Sequence, residues 1–311
     1  MLRWLSYLIY PVLRLLEIAG NRWNCIQRRR KLEKFTYGNL ARGRKTVVDL
    51  LTMIAPAAVP CYLIRDIDMS WANQVKSDLQ ERGVKITVTA ILLKAIAIAQ
   101  KLHPASRSDI LPFGRMVTYE DIVGGFTIER DENGSDTVYF GEIESPDQKS
   151  LSEIAQELVS YAQSNTSELA PLALQKLYTG LPYLIRRFIL AIACVFPSMR
   201  IKCQKATFGL TTLGKYNVKS VLSPCICTST FGIGTVEDRA MAVDGRICVM
   251  PTMTVSFNFN TRAMDAEAAS AFFEDVCRLM EGRLADYIES DFENAPHPLA
   301  PVRRLQEAHS V

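Results

Sequence analysis

The stretch from Arg246 to Phe273 constrains this chain more than any other. Cys248, Met250, Thr252, Thr254, Ser256 and Asn258 share one parity, while Val249, Met253, Val255, Phe257 and Phe259 supply an apolar face on the other. Alternation of that length predicts a long strand. It stops at Asn260-Thr261-Arg262, after which Phe272, Val276, Leu279 and Met280 fall on one stripe at helical spacing. A strand that ends in a short polar turn and feeds a helix is a common mount for chemistry. It is also an ordinary connection in any α/β chain.

The rest of the chain has enough apolar material to enclose such a strand. Of 311 residues, 48% are hydrophobic and 22% charged, which is enough for one large domain or two small ones. A net charge of +3 is too weak to point to nucleic acid. The eight cysteines form no CxxC pair and there are three histidines in all, so the sequence offers no zinc constellation and no metal site. Free thiols in a reducing cytoplasm are the expectation.

The two ends differ from the middle. Residues 2–19 are strongly apolar, but Arg3, Arg14, Glu17 and Pro11 interrupt them, and a spanning helix needs about 20 apolar residues. A basic cluster follows, from Arg22 through Arg28, Arg29, Arg30 and Lys31 to Lys34. Residues 1–33 therefore read as an amphipathic, basic extension. It either docks on protein or lies in an anionic membrane interface through residues 2–34. Residues 290–311 read as a mobile Pro-rich tail, and they hold His297 and His309.

Between the ends, Gly38–Arg44 looks like a basic linker and Val47–Ala58 like a helix. A strand over Cys61–Ile67, a helix over Met69–Glu81 and a buried helix over Ile86–Leu102 follow. Asp121–Glu129 and Val138–Ile143 read as a strand pair, with Gly124-Gly125 marking close backbone approach. Ser150 or Ser152 could cap a helix running to about Ser164. Leu169–Val195 offers two apolar helical segments split near Gly180 and Pro182. Ala206–Gly214 is a short strand, and Asp244-Gly245 turns a hairpin.

Several of these runs resemble the catalytic domain of the 2-oxoacid dehydrogenase acyltransferases, which share a fold with chloramphenicol acetyltransferase. Lys149–Leu158 is similar to that family's KKSLSEIAKEL run, and Ala206–Gly214 to its GTFTISNLG run. Gly83–Thr87 and His103-Pro104 have counterparts in the family's order of elements. Asn260–Ala266 occupies the place of its SFDHRVIDG segment, with Arg262 and Asp265 kept. The histidine position holds Thr261, the residue before it is Asn260 rather than aspartate, and the glycine position holds Ala266.

The resemblance implies an α/β fold of the chloramphenicol acetyltransferase type over residues 34–289, with a mixed sheet flanked by helices after the N-terminal helix. It implies a coenzyme A or acyl-carrier-protein thioester as substrate, and a homotrimer in which Thr211 of one subunit lies near Thr261 of its neighbour. Thr211 takes the place of the family's oxyanion-stabilising hydroxyl, worth about 3 kcal/mol in a transition state. Asn260 and Thr261 would position and polarise, and Asp265 with Arg262 would hold the turn. Leu169–Val195 is unlike complex-bound members. The chain shows no lipoyl domain, and a cytoplasmic location, peripheral to a membrane, fits its extension.

The altered motif leaves the reaction open. Threonine cannot act as a base at neutral pH, and general-base help is typically worth about 10²–10⁴-fold. Three readings remain. One is acyl transfer to an acceptor that needs little activation. The others are a degenerate structural or binding subunit, and a thioester site turned to another reaction. His103 is a poor substitute, since a histidine at that helix end has no catalytic duty in the family.

Overall fold

A computed structural model describes residues 42–55, 58–132, 135–164, 169–203, 205–243 and 245–293. The basic extension of residues 2–34 and the two tail histidines lie outside the described residues. Described elements begin with helix α1 (Arg42–Met53), strand β1 (Pro60–Asp68), and helices α2 (Ser70–Glu81) and α3 (Val88–Leu102). Strands β2 (Ser108–Ile110), β3 (Met116–Thr118), β4 (Val123–Glu132) and β5 (Ser135–Glu144) precede helices α4 (Leu151–Gln163), α5 (Ala170–Gly180), α6 (Tyr183–Val195) and α7 (Pro197–Cys203). Strands β6 (Phe208–Thr212), β7 (Ser229–Val243) and β8 (Arg246–Asn260), then helices α8 (Ala266–Met280) and α9 (Glu289–Glu293), complete the order.

Six strands form one mixed sheet in the order β1-β8-β7-β6-β4-β5, and β2 pairs with β3 apart from it. The β1–β8, β7–β8 and β4–β5 pairs are antiparallel, whereas β4–β6 and β6–β7 are parallel. This is the mixed α/β sheet that the resemblance implied. Close approach at Gly124-Gly125 is also present, because a Cβ on Gly124 would sit 2.8 Å from the Phe208 ring and one on Gly125 2.7 Å from the Ala206 Cβ.

The apolar parity of β8 supplies the core. Phe257 stacks between Phe231 and Phe259 at centroid distances of 4.9 and 5.3 Å, and Phe272 of α8 meets it edge-on at 5.3 Å. Each such ring pair contributes about 0.5–1.5 kcal/mol beyond area burial. Helix α3 lies in the same layer and is buried from Ala90 to Gln100. Its apolar composition on most sides requires that. The two polar members inside it are partnered: Lys94 Nζ donates to the Lys149 carbonyl at 2.5 Å, and Gln100 Nε2 to the Ser106 carbonyl at 3.1 Å. Burial still pushes the Lys94 ammonium below its ordinary pKa.

Local signals set the helix ends. Thr87 accepts from the Ala90 amide to start α3, and Ser150 with Glu153 forms a complete capping box on α4. Two boundaries differ from expectation. Helix α1 begins at Arg42, so the basic residues read as linker up to Arg44 are helical. The folded domain also passes Glu289: Asp291 accepts from the Leu151 amide at 2.8 Å, and Arg82 donates to the Phe292 carbonyl at 2.6 Å. Those bonds hold residues 289–293 on the domain, so a tail cannot start at residue 290.

The segment of α5 and α6 splits at Gly180-Leu181-Pro182 as the sequence predicts, and it is bolted down at two points. Gln175 bonds both polar groups of the Phe140 backbone, accepting from its amide at 3.0 Å and donating to its carbonyl at 2.7 Å. That closes part of the open edge of β5. Arg186, buried, donates to the buried Asp49 carboxylate of α1 at 2.7 Å.

Candidate functional site

From Thr252 onward the polar parity of β8 is not solvent-exposed. Thr252, Thr254, Ser256, Asn258 and Asn260 are all buried, on the sheet face opposite the phenylalanines. The connection between β6 and β7 covers Ser256 and Asn258. Ser256 Oγ donates to the Val221 carbonyl at 2.5 Å, and Asn258 Nδ2 to the Ser223 carbonyl at 2.6 Å. A loop laid on a sheet has backbone groups that need partners, and the serine and asparagine of β8 supply them. The fit is tight enough to require glycine below it. A Cβ on Gly232 would come within 2.0 Å of the Val221 carbonyl oxygen, and one on Gly234 within 2.0 Å of the Lys219 carbonyl oxygen.

Thr211 stands beside this covered strip. Phe208 and Leu210 of β6 face the core, so Gly209 and Thr211 face the other way, and Thr211 pairs in register with Gly232. It is half-buried, and its hydroxyl has no hydrogen-bond partner among the described residues. An uncommitted hydroxyl at the end of a strand can donate to a developing oxyanion.

The turn after β8 has a different state. Asn260 Oδ1 accepts from the Val59 amide at 3.1 Å and from the Arg262 amide at 3.2 Å. The Thr261 amide and hydroxyl both donate to the Val59 carbonyl, each at 3.0 Å. Both side chains therefore clamp the backbone just before β1, work that differs from the expected polarising of a substrate. Asp265 accepts from the Ala268 amide at 2.8 Å and so caps α8, holding the turn from its far side. Arg262 is exposed.

One chain does not bring Thr211 and Thr261 together. Thr211 pairs with Gly232 and Gly232 with Ser256, and Thr261 follows Ser256 by five residues. With strand spacings of roughly 4.8 Å and a rise of roughly 3.3 Å per residue, the two lie about 19 Å apart in the sheet. A site using both needs a second subunit.

Among the described residues, no histidine stands at this turn. His103, the one histidine among the described residues, ends α3. Its Nε2 lies 2.8 Å from the Asp275 carboxylate, and its ring leans on Phe272 at 5.8 Å. That ties α3 to α8 on the apolar side of the sheet, away from Thr211. The acidic residues at the end of β1 are also engaged. Asp66 receives Arg239 at 2.9 Å and Thr254 Oγ1 at 2.5 Å, while Asp68 accepts from the amide and hydroxyl of Ser70.

Sequence reasoning found the positions of the turn and of Thr211. It missed the covering loop and the clamp on Val59. The loop Asn217–Pro224 has no periodicity, and the only local hints were two glycines, Gly232 and Gly234, inside a strand.

Comparison with known proteins follows the same outline. Residues 33–172 and 200–286 match the family model of the 2-oxoacid dehydrogenases acyltransferase (catalytic domain). The interval between the two matched blocks falls in Leu169–Val195 and its sequel, the stretch read as atypical. A dihydrolipoyllysine-residue succinyltransferase component of the 2-oxoglutarate dehydrogenase complex from Bartonella vinsonii subsp. berkhoffii is 25% identical over 252 residues, 78% of this chain. The chain spans about half that relative's length, 53%. Among solved structures, a probable dihydrolipoamide acetyltransferase from Listeria monocytogenes 4b F2365 superposes with a TM-score of 0.62 at 16% identity, over 80% of this chain and 95% of that one. The cubic core of a pyruvate dehydrogenase multienzyme complex gives a TM-score of 0.62 at 18% identity, over 83% and 96%. With more than half its length matched, the chain belongs to the 2-oxoacid dehydrogenase acyltransferase family, through its catalytic domain.

Proposed function

We propose that this protein transfers an acyl group from a coenzyme A or carrier-protein thioester to an acceptor that is nucleophilic without a protein base, a neutral amine being the simplest. The observation that carries this is the contrast between the two threonines. Thr211 keeps a free hydroxyl in the position of the family's oxyanion donor, while Thr261 spends its hydroxyl on Val59. In the reaction the amine nitrogen attacks the thioester carbonyl carbon, and Thr211 donates to the oxygen as charge develops there. The C–S bond then breaks, the thiolate leaves, and the ammonium proton passes to the thiolate or to water. We place the site between subunits of a homotrimer, with position 261 of one subunit, which the resemblance aligns with the family's histidine, facing Thr211 of the next.

A second reading is a thioester-binding subunit without turnover, favoured by the engagement of Asn260 and Thr261 with the backbone of residue 59. A melting series with coenzyme A and acyl-coenzyme A esters tests binding first, since ligand at a hundred times its Kd stabilises by about 2.7 kcal/mol. Release of free thiol from the same esters, with and without a panel of amines, separates the two readings. Ligand-dependent melting without amine-dependent thiol release would select the non-catalytic one. Light scattering showing a monomer would overturn the shared site.

A further inference from the structure

Helix α6 has two apolar faces, and the domain uses only one. Arg186, Leu190 and Ala193 are buried against the domain, while Leu184, Phe188, Ala191 and Val195 make a continuous exposed stripe on the opposite side. Leu184 is 77% exposed and Phe188 66%. A helix that is apolar all round belongs in an apolar surrounding on all sides. The stripe falls inside residues 173–199, the interval that the family model leaves unmatched, so it is no part of the shared acyltransferase frame.

The charge of the segment says what covers it. From Leu169 to Cys203 there are five lysines and arginines and no aspartate or glutamate, and acid-free sequence continues to Val236. Two of those cations are met by acids from elsewhere, Arg186 by Asp49 and Arg200 by Asp109. Arg187, at the edge of the stripe, lies over the Tyr183 ring at 5.2 Å and bonds its hydroxyl at 2.7 Å, an aromatic–cation pair suited to headgroup level. A second copy of this surface would set cations against cations. Anionic lipid headgroups complement an acid-free, cation-bearing segment above an apolar layer. At 13 residues α6 is about 20 Å long, too short to cross a bilayer core of about 30 Å. No described helix is long and apolar enough to cross a membrane.

We infer that the outer face of α6 is a membrane-docking surface, lying flat in an anionic lipid interface with Leu184, Phe188 and Val195 in the acyl boundary. The full chain should float with phosphatidylcholine–phosphatidylglycerol vesicles (about 7:3) more strongly than with phosphatidylcholine alone. In hydrogen exchange, residues 183–196 of the unaltered protein should gain protection on adding those vesicles. The double substitution L184S/F188S, on largely exposed positions, should leave the melting temperature nearly unchanged and weaken partitioning about tenfold or more. Absence of vesicle binding would overturn the inference, as would binding without protection over 183–196 or undiminished binding by the variant. A fall in oligomeric mass caused by L184S/F188S would overturn it in favour of a self-association surface.

Discussion

The Thr261 hydroxyl and amide converge on one acceptor, the Val59 carbonyl, each at 3.0 Å. Thr261 is thus part of a backbone clamp. Thr261→Val should cost about 0.5–1.5 kcal/mol of stability and leave acyl transfer unchanged. Thr211→Val should do the opposite, with no change in melting and a fall of about 10²–10³ in kcat. Parallel thermal melts and thiol-release assays on the two variants check the pair. In the same assay, Thr261→His should raise transfer to thiol acceptors, since position 261 is exposed and an imidazole there supplies a base near neutral pH.

Asn260 is the stronger half of that clamp. Its one oxygen satisfies the Val59 and Arg262 amides from a buried position. Asn260→Ala should destabilise by about 2–3 kcal/mol, because two amides lose their acceptor. Asn260→Asp keeps the oxygen and should recover most of the loss. Chemical denaturation of the three proteins measures it.

The buried pair of Asp49 and Arg186 makes a sharper case. Arg186→Met leaves a carboxylate buried without its partner and should cost about 3–5 kcal/mol. Adding Asp49→Leu removes the orphan charge, and the double variant should be more stable than Arg186→Met alone. A denaturation cycle over the four proteins reads the coupling.

Gly232 tests the covering loop. A methyl group there would meet the Val221 carbonyl oxygen, which is backbone and cannot swing aside. Gly232→Ala should lift Asn217–Pro224 from the sheet, raise hydrogen exchange over those residues, and reduce any activity that depends on Thr211. Gly245→Ala meets no atom within 4 Å and carries only the strain of a φ of +75°, so it should leave the loop's exchange unchanged.

The thiols sort by burial. Desolvation pushes Cys225 and Cys277 up to about 12, so neither is a thiolate at neutral pH. Cys248 is exposed on the β7–β8 hairpin. Iodoacetamide at pH 8 should alkylate Cys248 first and reach Cys225 and Cys277 only after denaturation, as read by peptide mass mapping.

Much of the fold was legible because its signals are local. Alternation in Arg246–Asn260, a serine cap before α4 and the Gly180-Pro182 break each act within a few residues; of the two serines the sequence offered as cap, Ser150 takes the role. The basic start of α1 was not legible, because Arg42, Arg44 and Lys45 resemble a linker until α5, α6 and β5 pack against the helix. The site was half legible. Its residues could be located, but their duties could not. Ser256 and Asn258 alternate as solvent-facing residues would, and nothing nearby says that a loop some 35 positions earlier covers them. Nor does any local pattern show that Asn260 reaches back 201 positions to Val59.

The Asp49–Arg186 pair joins a part of the chain that the family model matches to a part that it does not. Asp49 lies in the stretch shared with the family, and Arg186 lies in the interval the family does not share. The charge pair therefore ties the unmatched segment to the matched frame at a buried point, and the two cannot separate without bringing Asp49 into water.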